Sequence, residues 1–291
     1  MFDDGHRTIE AARQRPIGVF DSGVGGLSVL RELRRLLPHE HLLYVADQAH
    51  VPYGTRPLRE VRQFSEGISR FLLSQDAKLI VVACNTASAA ALTALRQTFP
   101  DVSFVGMEPA VKPAARQTKS GRVGVLATAT TFASERYADL MARYAGAVVV
   151  LEDPCRGLVD LIEHGEIDTP ATERLLTAVV QPMLTSGVDT LVLGCTHYPF
   201  VIPLLERLSG PEVAIIDPAP AIARQVERVL SQQSGLNESP PNGQLRLFTT
   251  GEADAFSGQV KRLLGADLMG ETAVWRQVGD NLVLQSGRVS L

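Results

Sequence analysis

Cysteine is scarce in this chain: only Cys84, Cys155 and Cys195 occur among 291 residues. The count is odd and no CxxC pair exists, so a disulfide framework is not expected and a reducing compartment fits best. Structural zinc sites carry short CxxC or HxxxH spacings. Neither is present, so Cys84 and Cys195 with His50, His164 or His197 are not read as a metal site. No apolar run approaches the roughly 20 residues needed to cross a bilayer. The opening residues are polar and lack the apolar centre of a signal peptide. Excess positive charge is also missing: the net charge is -4 and the pI about 5.9. That balance leaves no electrostatic footprint for nucleic acid or a membrane surface. The expectation is a soluble cytoplasmic protein without direct nucleic-acid or membrane contact.

What is present is a large apolar fraction, 45%, against 21% charged residues, which allows an extensive core. The length suits two domains better than one. Short β-branched runs recur at residues 17–20, 42–45, 79–83, 102–105, 123–126, 148–151, 190–193, 213–216 and 245–248. Helical patterns separate most of them, for example at 27–37 and 59–74. Strands alternating with helices predict an α/β fold with mainly parallel sheets. The layout also repeats. IGVFDSGVGG and VGVLATATT are each a strand followed by small residues, and each precedes a strand ending in Cys by roughly sixty-odd residues. Two pseudo-symmetric, three-layer α/β domains facing one cleft are therefore expected. The first combines residues 16–110 with 217–291, and the second spans 111–216. Residues 1–15 read as a loose arm, residues 231–243 as a mobile surface loop, and the tail beyond Gly279 as short and without a role.

Four segments carry chemistry. KLIVVACNTASAA ends in Cys84 followed by Asn85 and Thr86, and VDTLVLGCTHYPF ends in Cys195 followed by Thr196 and His197. A thiol at the carboxyl end of a buried parallel strand lies where open α/β sheets bind ligands. A lone buried Cys is usually an inert small hydrophobe, but two at equivalent places point to paired acid/base groups. A helix beginning after each Cys would favour the thiolate. His197 stands two residues from Cys195, and Asp21 is within reach of Cys84. In Asp21-Ser22-Gly23-Val24-Gly25-Gly26, glycine allows positive φ or close approach, and amides at the next helix start can hold an anion. The last position of a dinucleotide pattern is occupied by Ser28, so that pattern is absent. The segment from Asp47 through Tyr53 and Gly54 reads as a turn that presents a phenol and backbone N–H groups. Cys155, before an amphipathic helix, reads as structural, and Glu163 near the end of that helix as a surface residue by default. Cys–His hydrolysis through an acyl-enzyme would use one cysteine and leave the other idle.

Taken together, DSGVGG, VPYG, ACNTASA, GCTHYP and a late TTG (Thr249, Thr250, Gly251) resemble the glutamate racemases of the cofactor-independent aspartate/glutamate racemase superfamily. The resemblance runs from about Pro16 to Val278. It implies catalytic roles for Cys84 and Cys195, with Asp21 and His197 assisting. It implies glutamate contacts at Asp21, Ser22, Tyr53, Gly54, Asn85, Thr86, Thr128, Thr131, Thr196 and His197, and acidic helpers near Asp47 and Glu163. It implies no cofactor and no metal, and D-glutamate production for peptidoglycan synthesis and cell shape. It leaves open a homodimer and a contact with DNA gyrase. The rival readings are a racemase of aspartate or a hydantoin, and a gyrase-restraining protein.

Overall fold

The computed structural model describes residues 10–240, 243–279 and 281–287. Eleven strands among them form two sheets. They are β1 (Ile17–Asp21), β2 (Leu42–Ala46), β3 (Leu79–Val82), β4 (Ser103–Val105), β5 (Arg122–Ala127), β6 (Val149–Asp153), β7 (Thr190–Gly194), β8 (Ala214–Ile216), β9 (Leu245–Thr249), β10 (Gly270–Val278) and β11 (Asn281–Ser286). The larger sheet runs β11-β10-β9-β2-β1-β3-β4 and the smaller runs β6-β5-β7-β8. Every pairing is parallel except β10 with β11.

The two sheets share a core order. In each, the first strand lies between the second and the third, and the fourth follows the third. The repeated layout of the sequence therefore corresponds to a repeated topology, extended in the larger sheet by β9, β10 and β11. β3 and β7, the strands that lead into Cys84 and Cys195, hold equivalent inner positions.

Both faces of each sheet are covered, so the inner strands read as unbroken apolar runs. On β1, Ile17 and Val19 join one apolar cluster while Phe20 joins another on the opposite face. On β3, Leu79 and Val81 alternate in the same way with Ile80 and Val82. In the smaller sheet, Leu191 and Leu193 of β7 face one side and Val192 the other. One cluster includes residues of both sheets, for example Leu79 and Leu193, so the two halves share a continuous apolar interior.

The nine predicted runs all form strands, and the helices Leu27–Leu36 and Leu58–Ser74 fall where their periodicity placed them. Three readings of the sequence need correction. The tail past Gly279 has a role: β11 pairs antiparallel with β10 and buries Leu284. In the arm, residues 10–14 are helical, and Arg13 Nε donates to the Ser234 carbonyl at 2.9 Å; residues 1–9 lie outside the described residues. The helix Ala219–Gln232 extends into the segment read as a loop. Beyond it, Asn237 is buried and tied down. Its N–H donates to Glu40 Oε1 and its side-chain amide to the His39 carbonyl, each at 2.8 Å.

Candidate functional site

Strand register brings the candidate residues level. Phe20 pairs with Val82, so Asp21 at the tip of β1 stands beside the turn that carries Cys84. Ala127 pairs with Gly194, so Thr128 stands beside Cys195. Cys84 caps the helix Asn85–Thr98, with Ala87 N–H donating to its Sγ at 3.4 Å. Both thiols line one small cavity of about 20 Å³. Ser22, Tyr53, Gly54, Asn85, Thr86, Thr128, Thr196 and His197 line it too, and Pro52 and Val159 complete it. That volume holds about one water molecule. A second cavity of about 170 Å³ adjoins it, sharing Pro52, Gly54, Thr128 and Val159. Cys155 lines this outer cavity.

Asn85 is buried, yet neither its Oδ1 nor its Nδ2 has a partner. An unsatisfied buried polar group costs about 1–3 kcal/mol. A ligand that both donates and accepts, as an amino acid's ammonium and carboxylate do, would relieve that cost. The opening between the halves is laced by hydroxyls. Thr86 Oγ1 and Thr128 Oγ1 lie 2.9 Å apart, Thr128 and Thr131 likewise, and Thr130 Oγ1 donates to the Gly54 carbonyl at 2.7 Å.

Four predicted residues do not line the cavity and stand behind ones that do. Asp21 is fully buried behind Cys84, with its Oδ2 accepting from Gly26 N–H at 2.7 Å. Thr131 supports Thr128. Asp47 accepts from Tyr53 Oη at 2.6 Å, Thr250 Oγ1 at 2.8 Å and Trp275 Nε1 at 2.7 Å, and His50 Nδ1 lies 2.9 Å from it. The Tyr53 phenol is therefore turned to Asp47 rather than presented to a ligand. Glu163, read by default as a surface residue, is buried, and its Oε1 lies 2.6 Å from His197 Nε2. The other ring nitrogen, Nδ1, lies 3.7 Å from Cys195 Sγ. Cysteine, imidazole and carboxylate thus stand in line.

The glycine-rich loop works through close approach. None of Gly23, Gly25 and Gly26 has positive φ. A Cβ at Gly23 would fall 2.0 Å from Glu163 Oε1. The loop amides do hold anions, but these are the protein's own: Val24 N–H donates to Glu163 Oε1 at 2.8 Å, and Gly26 N–H to Asp21.

Cys84, Asp21, His197 and Glu163 are held away from their ordinary titration. Burial, reinforced by the Asp21 charge, pushes the Cys84 thiol well above its ordinary pKa and outweighs the Ala87 amide. The helix start after Cys84 therefore does not make it a thiolate. Asp21 is itself pushed up, chiefly by burial. Burial opposes a charged His197, but hydrogen bonds and charges from Cys195 and Glu163 prevail and raise its pKa well above the usual value. Burial likewise opposes the Glu163 carboxylate, and His197, the Val24 amide and Gln48 overcome it and lower its pKa. The arrangement holds Cys84 as a neutral thiol and sets beside Cys195 an imidazole held toward its charged form. Groups so differentiated suit proton donation and proton removal.

Gln48 lies within the Asp47–Gly54 segment but was given no role; sequence reasoning missed Gln259 and Trp275 behind the site, and Val159 in its wall. None of the last three belongs to a pattern that announces chemistry. Among the described residues, no group of three or more His, Cys, Asp or Glu is placed to hold a metal ion, and no helix is long and apolar enough to cross a membrane. A larger cavity of about 590 Å³, lined by Arg96, Phe104, Arg136 and Ile216 among others, contains neither thiol.

Residues 17–226 match the family described as Asp/Glu/Hydantoin racemase. The chain is 51% identical over 251 residues to the glutamate racemase of Roseiflexus, covering 86% of this chain and 92% of that one. Among solved structures it is similar to a glutamate racemase isoform from Bacillus anthracis, with a TM-score of 0.80 and 33% identity over 89% of this chain and 97% of that one. It is also similar to the Francisella tularensis glutamate racemase in complex with D-glutamate, with a TM-score of 0.78 and 28% identity over 90% and 97%.

Proposed function

The chain belongs to the Asp/Glu/Hydantoin racemase family, and from that premise we propose that it is a glutamate racemase that inverts Cα with two thiols and no cofactor. The observation that carries this reading is the single cavity holding both Cys84 and Cys195, one from each sheet, beside the unpaired amide of Asn85.

In the direction from L- to D-glutamate, the Cys195 thiolate takes the Cα proton. The Cys84 thiol delivers its proton to the opposite face, leaving Cys195 as thiol and Cys84 as thiolate. The reverse direction exchanges the roles. The family resemblance assigns the faces; the imidazole beside Cys195 and the raised pKa of the Cys84 thiol bear on which group begins as base and which as acid. General acid–base catalysis supplies roughly 10²–10⁴-fold. The remaining stabilisation of a carbanion falls to preorganised donors, for which Ser22, Asn85, Thr86 and Thr196 are placed on the wall. His197 and Glu163 serve Cys195, and Asp21 serves Cys84. Glutamate is far larger than a water molecule, so the Gly54–Thr128 edge must part for it to pass from the outer cavity. We place the work of the enzyme in the cytoplasm and its D-glutamate in peptidoglycan synthesis, as the resemblance implies. We assign residues 16–110 and 217–291 to one domain and 111–216 to the other.

The test is racemisation of L-glutamate against L-aspartate in D2O, by polarimetry and NMR. Inversion of glutamate with deuterium entering Cα is expected. Cys84→Ala and Cys195→Ala should each lose at least about 10²-fold, and Cys155→Ala should keep most activity. Full racemisation by either of the first two variants, or turnover without deuterium in the product, overturns the two-thiol scheme.

A further inference from the structure

The late TTG motif lies outside the cavity, and its connections lead to the Cys195 side of the site. Thr249 ends β9, which pairs with β2 so that Thr249 is level with Ala46. Beyond β2 come Asp47 and Gln48. Gly251 N–H donates to Thr249 Oγ1 at 3.0 Å, and the Thr249 hydroxyl donates to Gln48 Oε1 at 2.8 Å. These directions settle how the Gln48 amide is turned. Its Nε2 donates to Gln259 Oε1 at 2.7 Å and to Glu163 Oε2 at 3.3 Å. Gln259 Nε2 in turn donates to the Glu163 main-chain carbonyl at 2.6 Å. Gly251 leaves room for this, since a Cβ there would fall 3.0 Å from Gln48 Cβ and 3.2 Å from its Oε1.

Every donor in this chain belongs to the part of the molecule built on the larger sheet. Glu163, His197 and Cys195 belong to the part built on the smaller one. Glu163 Oε1 is occupied by His197 Nε2 and the Val24 amide. Among the described residues, Gln48 is the side chain that donates to Oε2. The Glu163 carboxylate therefore receives hydrogen bonds from across the cleft at both oxygens, and its backbone receives a third from Gln259.

We propose that Gln48 and Gln259 are positioning residues for Cys195, holding Glu163 against His197 so that this acid–base group is complete only when the two halves are closed. The inference rests on the racemase reading and extends it. Closure then does more than exclude water. It supplies the donors that keep Glu163 ionised and aimed, and through Glu163 the charge on His197 beside Cys195. Opening to release product withdraws them together.

The charged and titratable groups facing His197 and Glu163 are Cys195 after β7, Asp21 at the tip of β1 and Tyr44 on β2. A change confined to the Gln48 bond leaves these in place. The test uses Gln48→Met, which keeps the length and removes the donor, with Gln259→Met as a second variant. We expect kcat to fall roughly tenfold to a hundredfold, the size of one hydrogen bond to a charged group, with KM changed less. The alkaline limb of the pH–rate profile and the NMR titration of His197 should both move to lower pH. Gln259→Met should act in the same direction with a smaller change. A fall in melting temperature with the His197 titration and the alkaline limb unmoved in both variants would reduce the two glutamines to structural ties and overturn the proposal. The NMR titration does not depend on turnover. If the parent protein racemises no glutamate while Gln48→Met still shifts His197, the racemase reading fails and the positioning role stands.

Discussion

A methyl group at Gly25 would fall 2.3 Å from His197 Nδ1, the nitrogen that faces Cys195, and 2.7 Å from Thr196 Oγ1. The glycine-rich loop of one half is thus the wall against which the imidazole of the other half rests. Of the roles the glycines allowed, positive φ, close approach and an anion cradle, close approach is the one this contact uses.

Gly25→Ala is therefore expected to cost activity more than stability. The loop or the ring must move, at about 1–3 kcal/mol for overpacking, and moving the ring breaks its alignment between Cys195 and Glu163. kcat should fall more than tenfold, by about the weight of one misplaced acid–base group. Gly146→Ala is the control, since a Cβ there meets nothing within 4 Å. Steady-state kinetics with thermal melts on both variants checks this; unchanged kcat in Gly25→Ala would mean that the imidazole tolerates displacement.

The Glu163–His197 pair gives a pH signature. His197 has its pKa raised above the ordinary 6.5, so its share of stability is full below that value and is lost as pH rises through the folded-state pKa. Glu163 has its pKa lowered below the ordinary 4.5, so its share is full above that value and is lost as pH falls through the folded-state pKa. Glu163→Gln should therefore show its largest stability deficit between those two ordinary values. The alkaline limb of kcat/KM should also move to lower pH, because the charge that helps hold the imidazolium is gone. Urea titrations at several pH values and a pH–rate profile measure both; an alkaline limb that stays in place would remove Glu163 from the proton machinery.

Asp47 gathers Tyr53, His50, Thr250 and Trp275 and so anchors the Tyr53–Gly54 turn at the cavity wall. Tyr53→Phe removes one donor to a buried carboxylate and should cost about 1.5–3 kcal/mol. Trp275 is the chain's single tryptophan, and its ring N–H is one of the four partners. Its fluorescence should therefore report both the unfolding and any loosening of this turn when glutamate binds. A loss under about 0.5 kcal/mol would show that the remaining partners hold the turn unaided.

Much of this molecule was legible before any coordinates. The inner strands were readable because both faces of each sheet are covered, which makes runs such as Leu79 to Val82 apolar throughout. The repeated placement of Cys84 and Cys195 was readable because a strand followed by small residues recurs in each half. The hairpin of β10 and β11 was not. Five of the nine β10 residues are exposed, so the unbroken apolar run that marked the other strands is missing there. Its own helix left Glu163 at the surface, and only the family resemblance raised it as a helper, because one carboxylate near the end of an amphipathic helix looks the same whether it meets water or a histidine.

The chain alone determined where strands end, which thiols follow them and which small polar residues come next, because local periodicity and composition follow from neighbours in sequence. Only the tertiary structure decided that Glu163 meets His197, that Gln48 reaches Glu163 from 115 residues away, and that Cys84 is held neutral while Cys195 stands beside an imidazolium. Those outcomes depend on burial and on long-range contacts: Cys195 and His197 are neighbours in sequence, but Glu163 lies 34 residues from His197 and Gln48 comes from the other half.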